Sequence, residues 1–286
     1  MTLREALIRA AAALATKPDL RANANRDAEL LLLHILEAPR TLLITDPGRA
    51  LTPIQQRAYQ AAIARRLTHE PIQYITGQQE FYGLALRVTP AVLIPRPETE
   101  HLVEAVLEHL LKARLPKHQP LSIADVGTGS GAIAIALATH LPQSEITALD
   151  LSPEALGLAR ENAAQHNLAH RIRFVESDLL AAVAHQTFDA IVSNPPYVPI
   201  IDRATLHPQV RDHEPAHALF AGPTGLDVYR RLIPQAQAAL KPGGLLALEL
   251  GQGQGDALAA LLSNWRDVTF VDDLQQIPRV ALAIRP

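Results

Sequence analysis

Asp125-Val126-Gly127-Thr128-Gly129-Ser130-Gly131 is the stretch that decides the fold of this chain. It follows an apolar run over 121–126 and opens onto Ile133, Ile135, Ala136 and Leu137, so it reads as strand, tight turn and helix. Glycines at such a turn let the backbone approach a ligand closely and let the helix pack back on its strand. The next strand, Glu145-Ile146-Thr147-Ala148-Leu149, ends in Asp150, 19 positions beyond Gly131. A carboxylate there is placed to accept both hydroxyls of a ribose. Ser152-Pro153 already caps the following helix, so Asp150 is not required for that. Outward from this unit, strands are expected near 121–126, 145–150, 171–175, 188–193, 243–250, 267–272 and 279–284. Segments of helical length between them predict an α/β fold, a parallel sheet wound with helices on both faces.

The loop's charge indicates what it holds. A dinucleotide site spaces its glycines as Gly-x-Gly-x-x-Gly and seats a pyrophosphate on the helix N-terminus. Here Gly129-Ser130-Gly131 is one residue tighter and follows the acidic Asp125. A carboxylate repels a pyrophosphate but suits the ammonium end of S-adenosylmethionine. The third strand leads to Ser177-Asp178-Leu179, where the adenine would lie. The expected cofactor residues are therefore Gly127, Thr128, Gly129, Ser130, Gly131, Asp150, Asp178 and Leu179, with Asn194 delivered by the fourth strand.

That fourth strand, 188–193, runs into Asn194-Pro195-Pro196-Tyr197. Two prolines end it sharply, remove two backbone donors and stiffen the loop at the carboxyl edge, where open α/β sheets bind ligands. What is left is a rigid set of acceptors, the Asn194 side-chain oxygen and the proline carbonyls, with a tyrosine ring beside them. Such a turn suits a planar group carrying an NH2. Asn194, Pro195, Pro196 and Tyr197 form the expected acceptor-binding set, with Asn194, Pro195 and Tyr197 in catalytic roles. Orientation in a dry site does the work, and the nitrogen loses its proton after transfer, so no histidine or lysine base is needed. The 12 histidines are scattered, and His166 and His170 read as surface residues.

Composition narrows the class. The chain has 286 residues, 48% hydrophobic and 19% charged, enough to bury one large or two smaller cores. With 26 Lys plus Arg against 29 Asp plus Glu and 4% aromatic residues, it has no global case for gripping nucleic acid. No cysteine is present, which excludes thiolate chemistry, and no metal is expected. No apolar run reads as a membrane span or a signal core, so a cytoplasmic protein is expected. Residues 1–72 read as short helices with Pro and Gly joints, Leu3, Leu7, Ile8 and Leu14 forming one stripe. A hairpin linker is expected over 73–92, a polar joint at 117–120, and one domain over 93–286. Arg96, between Pro95 and Pro97, is held so rigidly that it should be aimed at a partner.

The motifs taken together resemble the HemK-type (PrmC) peptide chain release factor N5-glutamine methyltransferases over nearly the whole length. The resemblance rests on Gln73-Tyr74-Ile75-x-Gly77, Glu80-Phe81-Tyr82-Gly83, Ile94-Pro95-Arg96-Pro97-Glu98-Thr99-Glu100 and the glycine loop. It continues through Ser193-Asn194-Pro195-Pro196-Tyr197, Glu214-Pro215-x-x-Ala218-Leu219, Gly225-Leu226-Asp227 and Glu249-Leu250-Gly251. It implies a Rossmann-like, seven-stranded class I methyltransferase domain and a helical N-terminal domain that docks the release factor. The implied substrate is the glutamine of that factor's Gly-Gly-Gln loop, and a monomer is expected. Leu179 stands where some relatives carry an aromatic beside the adenine, so ring stacking is not expected there. Asn-Pro-Pro-Tyr alone is shared with amine methylases of nucleic acids, which leaves a base-modifying enzyme as the alternative. A non-catalytic adaptor is disfavoured by the intact glycine loop and Asp150.

Overall fold

The computed structural model describes residues 1–112, 120–273 and 275–286, so only Pro120 of the expected joint at 117–120 lies within it. The chain divides into two compact units, one of residues 1–78 and 205–213, the other of residues 79–204 and 214–286. Of the stretch 73–92, residues 73–78 fall in the first unit and 79–92 in the second.

The first unit is helical: α1 (Leu3–Leu14), α2 (Pro18–Arg21), α3 (Ala24–Leu36), α4 (Thr41–Thr45), α5 (Pro53–Leu67) and α6 (Ile72–Thr76). Capping boxes start the long ones. Thr2 and Glu5 exchange bonds ahead of α1, and Thr52 and Gln55 do so ahead of α5, with Pro53 at its first position. The buried stripe of α1 is Leu3, Ala6, Ala10 and Leu14. Ile8 lies off that stripe and is 63% exposed, a correction to the expected face. Inside, Arg66 Nε donates to Asp27 Oδ2 at 2.8 Å and Tyr59 Oη to the Ala28 carbonyl at 2.9 Å, so these three buried side chains have partners.

A hairpin comes next in the chain, β1 (Gln78–Phe81, all but Gln78 in the second unit) and β2 (Leu84–Arg87), turned by Tyr82 and Gly83, both at positive φ. Then follow α7 (Glu98–Lys112), β3 (Leu121–Val126), α8 (Ala132–His140), β4 (Ser144–Asp150), α9 (Pro153–Gln165), β5 (Ile172–Glu176) and β6 (Phe188–Ser193). Helix α10 (Pro208–His213), part of the helical unit, precedes α11 (Asp227–Ala239), β7 (Leu240–Glu249), α12 (Gly255–Leu261), β8 (Arg266–Asp272) and β9 (Pro278–Ile284). The seven strands β3–β9 form one sheet in the order β5-β4-β3-β6-β7-β9-β8. Neighbouring residues of β3 go to opposite layers, Ile123 with α7 and α8, Ala124 with α11 and α12, so both faces are buried.

One expectation is corrected. The sheet is not wholly parallel, because β9 runs antiparallel to both β7 and β8. Only 273–277 separates β8 from β9, too few residues for a crossover, which takes about a dozen. The strand order reverses between β3 and β6, and that reversal opens a crevice at their carboxyl ends. Ser193 Oγ donates to the Val126 carbonyl at 2.7 Å and ties the two ends together there.

Candidate active site

A cavity of about 270 Å³ lies at this reversal, wholly within the second unit. Gly127, Thr128, Gly129 and Ser130 line it, together with Asp150, Asp178, Leu179, Asn194 and Pro196. Gly131, Pro195 and Tyr197 do not line it. Gly131 has a packing role: at φ +83°, a Cβ there would meet Ile135 Cδ1 at 3.1 Å and Ala159 Cβ at 3.2 Å.

The loop is braced from two sides. Gly127 N and Thr128 N donate to the Leu149 carbonyl at 2.8 and 2.9 Å, and Gly129 N donates to Asp150 Oδ2 at 2.8 Å. Asp150 Oδ1 accepts from Ser152 N at 2.9 Å, so its carboxylate is fixed by two backbone donors while it faces the cavity. Asp125 is fully buried and lies behind the loop, not on the cavity wall. Its Oδ2 accepts from Thr128 Oγ1 at 2.6 Å and from Ala134 N at 3.1 Å, and Oδ1 has no partner among the described residues. Burial pushes its carboxyl up to about 7.

Asn194 sits where β6 meets the loop: a Cβ on Gly127 would come within 4.0 Å of the Asn194 carbonyl. Its Nδ2 donates to Thr99 Oγ1 at 3.0 Å, and no donor among the described residues occupies Oδ1. Tyr197 Oη donates to Glu249 Oε1 at 3.2 Å, and burial holds that phenol above its usual range. Past the prolines the chain regains backbone bonds, Val198 N to the Leu219 carbonyl and Ala221 N to the Val198 carbonyl.

Several lining or bracing residues had no role in the sequence reading. Arg231 of α11 reaches Asp178 Oδ2 at 2.5 Å, and His217 and Ala218 come from the Glu214–Leu219 motif. Gln254 Nε2 donates to the Tyr197 carbonyl at 2.9 Å. Arg96 does find a partner: Nη2 meets Glu214 Oε1 at 2.5 Å, and the Glu214 side chain is fully buried. The Pro-Arg-Pro spacing signalled Arg96; nothing local signalled Gln254.

These residues fit adenosylmethionine. A carboxylate faces the cavity at the end of β4 for a ribose, aliphatic Leu151 and Leu179 can flank a base, and bare glycine backbone leaves room beside them.

Fold and site together define a Rossmann-like S-adenosylmethionine-dependent methyltransferase. A model of the methyltransferase small domain matches residues 106–206, and a model of the PrmC N-terminal domain matches residues 5–77. A release factor glutamine methyltransferase of Koribacter versatilis is 48% identical over 91% of this chain and 90% of its own length. The one of Escherichia coli is 44% identical over 90% and 91%. The chain belongs to the release factor glutamine methyltransferase family. Among solved structures, the hMettl16 catalytic domain, in complex with a 3′UTR hairpin, is 18% identical with a TM-score of 0.55. That likeness covers 82% of this chain and 84% of that one, and it concerns the fold alone.

Proposed function

We propose that Asn194 Oδ1 and the Pro195 carbonyl accept the two N–H bonds of the substrate glutamine amide and so fix its nitrogen for methylation. The chain is a protein-glutamine methyltransferase acting on peptide chain release factors. When bound, S-adenosylmethionine supplies the electrophilic methyl group. An amide nitrogen is a poor nucleophile because its lone pair is delocalised into the carbonyl. Holding both hydrogens aims that lone pair, and fixing a near-attack geometry in a dry site is worth about 7–11 kcal/mol. The Tyr197 ring, anchored at its hydroxyl by Glu249, is the wall proposed to lie against the amide plane. The nitrogen becomes acidic as it gains charge, so its proton leaves after transfer without a strong base.

The observation that best supports this reading is the Asn194 amide on the cavity wall with Nδ2 already engaged by Thr99. Gly127, Thr128, Gly129, Ser130 and Gly131 with Asp150, Asp178 and Leu179 are assigned to the donor, and no metal takes part. Residues 1–72 are assigned to docking the release factor, 73–92 to the joining segment and 93–286 to catalysis. The target is the glutamine of the factor's Gly-Gly-Gln loop, met in the cytoplasm by a monomer that binds no nucleic acid directly.

The test is transfer of labelled methyl to a purified release factor, beside its Gln→Ala loop variant and bulk RNA and DNA. Label on the intact factor alone is expected. Label on nucleic acid would overturn the substrate assignment, and an Asn194→Ala enzyme of wild-type rate would overturn the role of Asn194.

A further inference from the structure

The register of β6 on β7 ends at the pair Ser193–Leu248, one residue before Asn194. Beyond that pair, side chains join the acceptor turn to the residues that follow β7. Tyr197 Oη donates to Glu249 Oε1 at 3.2 Å. A Cβ on Gly251 would stand 3.0 Å from Tyr197 Cδ2, so the ring lies against bare backbone there. Gln254 completes the seat: Nε2 donates to the Tyr197 carbonyl at 2.9 Å, and Oε1 accepts from Gly251 N at 3.0 Å.

A local role does not account for Gln254. It stands at the N-cap of α12, where a short Ser, Thr, Asp or Asn would reach back to the first N–H groups of the helix. Gln254 makes no such capping bond. Its longer arm goes instead to a carbonyl 57 positions away in the chain. The ground it stands on is fixed from two further elements. Leu250 N donates to the Arg279 carbonyl of β9 at 2.9 Å, and Tyr229 Oη of α11 donates to the Glu249 carbonyl at 2.7 Å.

We infer that Gln254 is a positioning residue for methyl transfer. Its Nε2 holds the Tyr197 carbonyl, and Pro195 and Pro196, with φ locked, carry that restraint back to the Pro195 carbonyl and Asn194. This rests on the reading of Asn194 Oδ1 and the Pro195 carbonyl as acceptors for the glutamine amide. The two prolines have no N–H to tie the turn down, so a donor from outside supplies the tether. Neither Gln254 nor Gly251 lines the cavity. Gln254 therefore sets where the amide is presented, and not how tightly adenosylmethionine is held.

The test compares Gln254→Glu and Gln254→Met with the wild type, reading kcat and KM on a release factor and the Kd of adenosylmethionine. Near neutral pH the glutamate keeps an acceptor for Gly251 N and loses the donor to Tyr197; the methionine loses both. Both variants should lower kcat about 10²-fold, the cost of misplacing a reacting group by about 1 Å, with KM and Kd near wild type. Wild-type kcat in Gln254→Glu overturns the inference, because the Tyr197 bond is then not needed. A loss of adenosylmethionine affinity as large as the loss of kcat also overturns it, since Gln254 would then brace the domain at large. If neither variant folds, Gly251→Ala decides, because its Cβ presses on the Tyr197 ring and on Gln254 Oε1. Lowered kcat with Kd kept supports the inference there, and wild-type kcat defeats it. Asn194→Ala separates the two levels. An active Asn194→Ala enzyme defeats the underlying reading, whereas an inactive one beside normal Gln254 variants defeats only this inference.

Discussion

The Gly129 backbone N–H donates to Asp150 Oδ2 at 2.8 Å, so the carboxylate assigned to the ribose also clamps the glycine loop. Removing it subtracts a ligand contact and a brace at once. Asp150→Ala is expected to weaken adenosylmethionine binding by about 1.5–3 kcal/mol, the usual worth of a hydrogen bond to a charged group. Titration calorimetry reads this directly. An unchanged dissociation constant would remove Asp150 from the cofactor site.

Arg96 is 28% exposed, but its partner Glu214 is completely buried, and Glu214 Oε2 also accepts from Ile94 N at 3.3 Å. The asymmetry predicts which half of the pair is costly to lose. Arg96→Met leaves a buried carboxylate without its cation and is expected to destabilise the protein by about 3 kcal/mol. Adding Glu214→Gln should recover much of that loss. Denaturant unfolding of both variants checks it, and equal stability of the single variant and the wild type would show that the pair holds nothing together.

How far the sequence carried these conclusions depends on whether a residue's role was local. The strands were legible because both sheet faces are buried, which writes each strand as an apolar run. Asn194, Asp150 and the glycine loop were legible because their geometry is set by neighbours within a few positions. The antiparallel β9 was also on the page, in the shortness of 273–277, but strand patterning alone does not carry direction. The Tyr197–Glu249 and Asn194–Thr99 bonds were not legible. Each joins residues far apart in the chain, and only the placing of β7 beside β6 brings Glu249 to Tyr197. Ile8 shows the reverse error, an apolar residue credited to a stripe its angular position does not reach.

Asp125 predicts a pH dependence of stability with a definite sign. Its carboxyl is raised by burial from 3.8 to about 7, so the folded state binds the proton more tightly than the unfolded chain. That contribution is complete below about 4 and is lost as pH rises toward 7, because the native state binds more protons throughout that window. Asp125→Asn keeps an acceptor for Thr128 and Ala134 and removes the titration. The variant should therefore gain on the wild type by a few kcal/mol between pH 4 and pH 7, then run parallel to it. Denaturant unfolding of both proteins across that window measures the difference. A constant difference would mean that Asp125 is ionised in the folded protein at every pH tested.

Gly225 offers the sharpest test of whether the acceptor turn must be held in place. Its φ is +73°, and a Cβ there would stand 2.2 Å from the Tyr197 carbonyl oxygen and 2.8 Å from Gln254 Nε2. The first contact is with backbone, so it cannot be relieved by turning a side chain, and the second breaks the Gln254 bond to that same carbonyl. Gly225→Ala must then displace the segment carrying Tyr197 and, through two stiff prolines, Asn194. Gly225 is absent from the cavity wall, so adenosylmethionine affinity is expected to stay near wild type. A shift of about 1 Å at the acceptor should cost kcat about 10²-fold. Steady-state methylation of a release factor, set beside calorimetric cofactor binding, separates the two quantities. Loss of affinity with kcat preserved would mean that the turn serves the cofactor and not the glutamine.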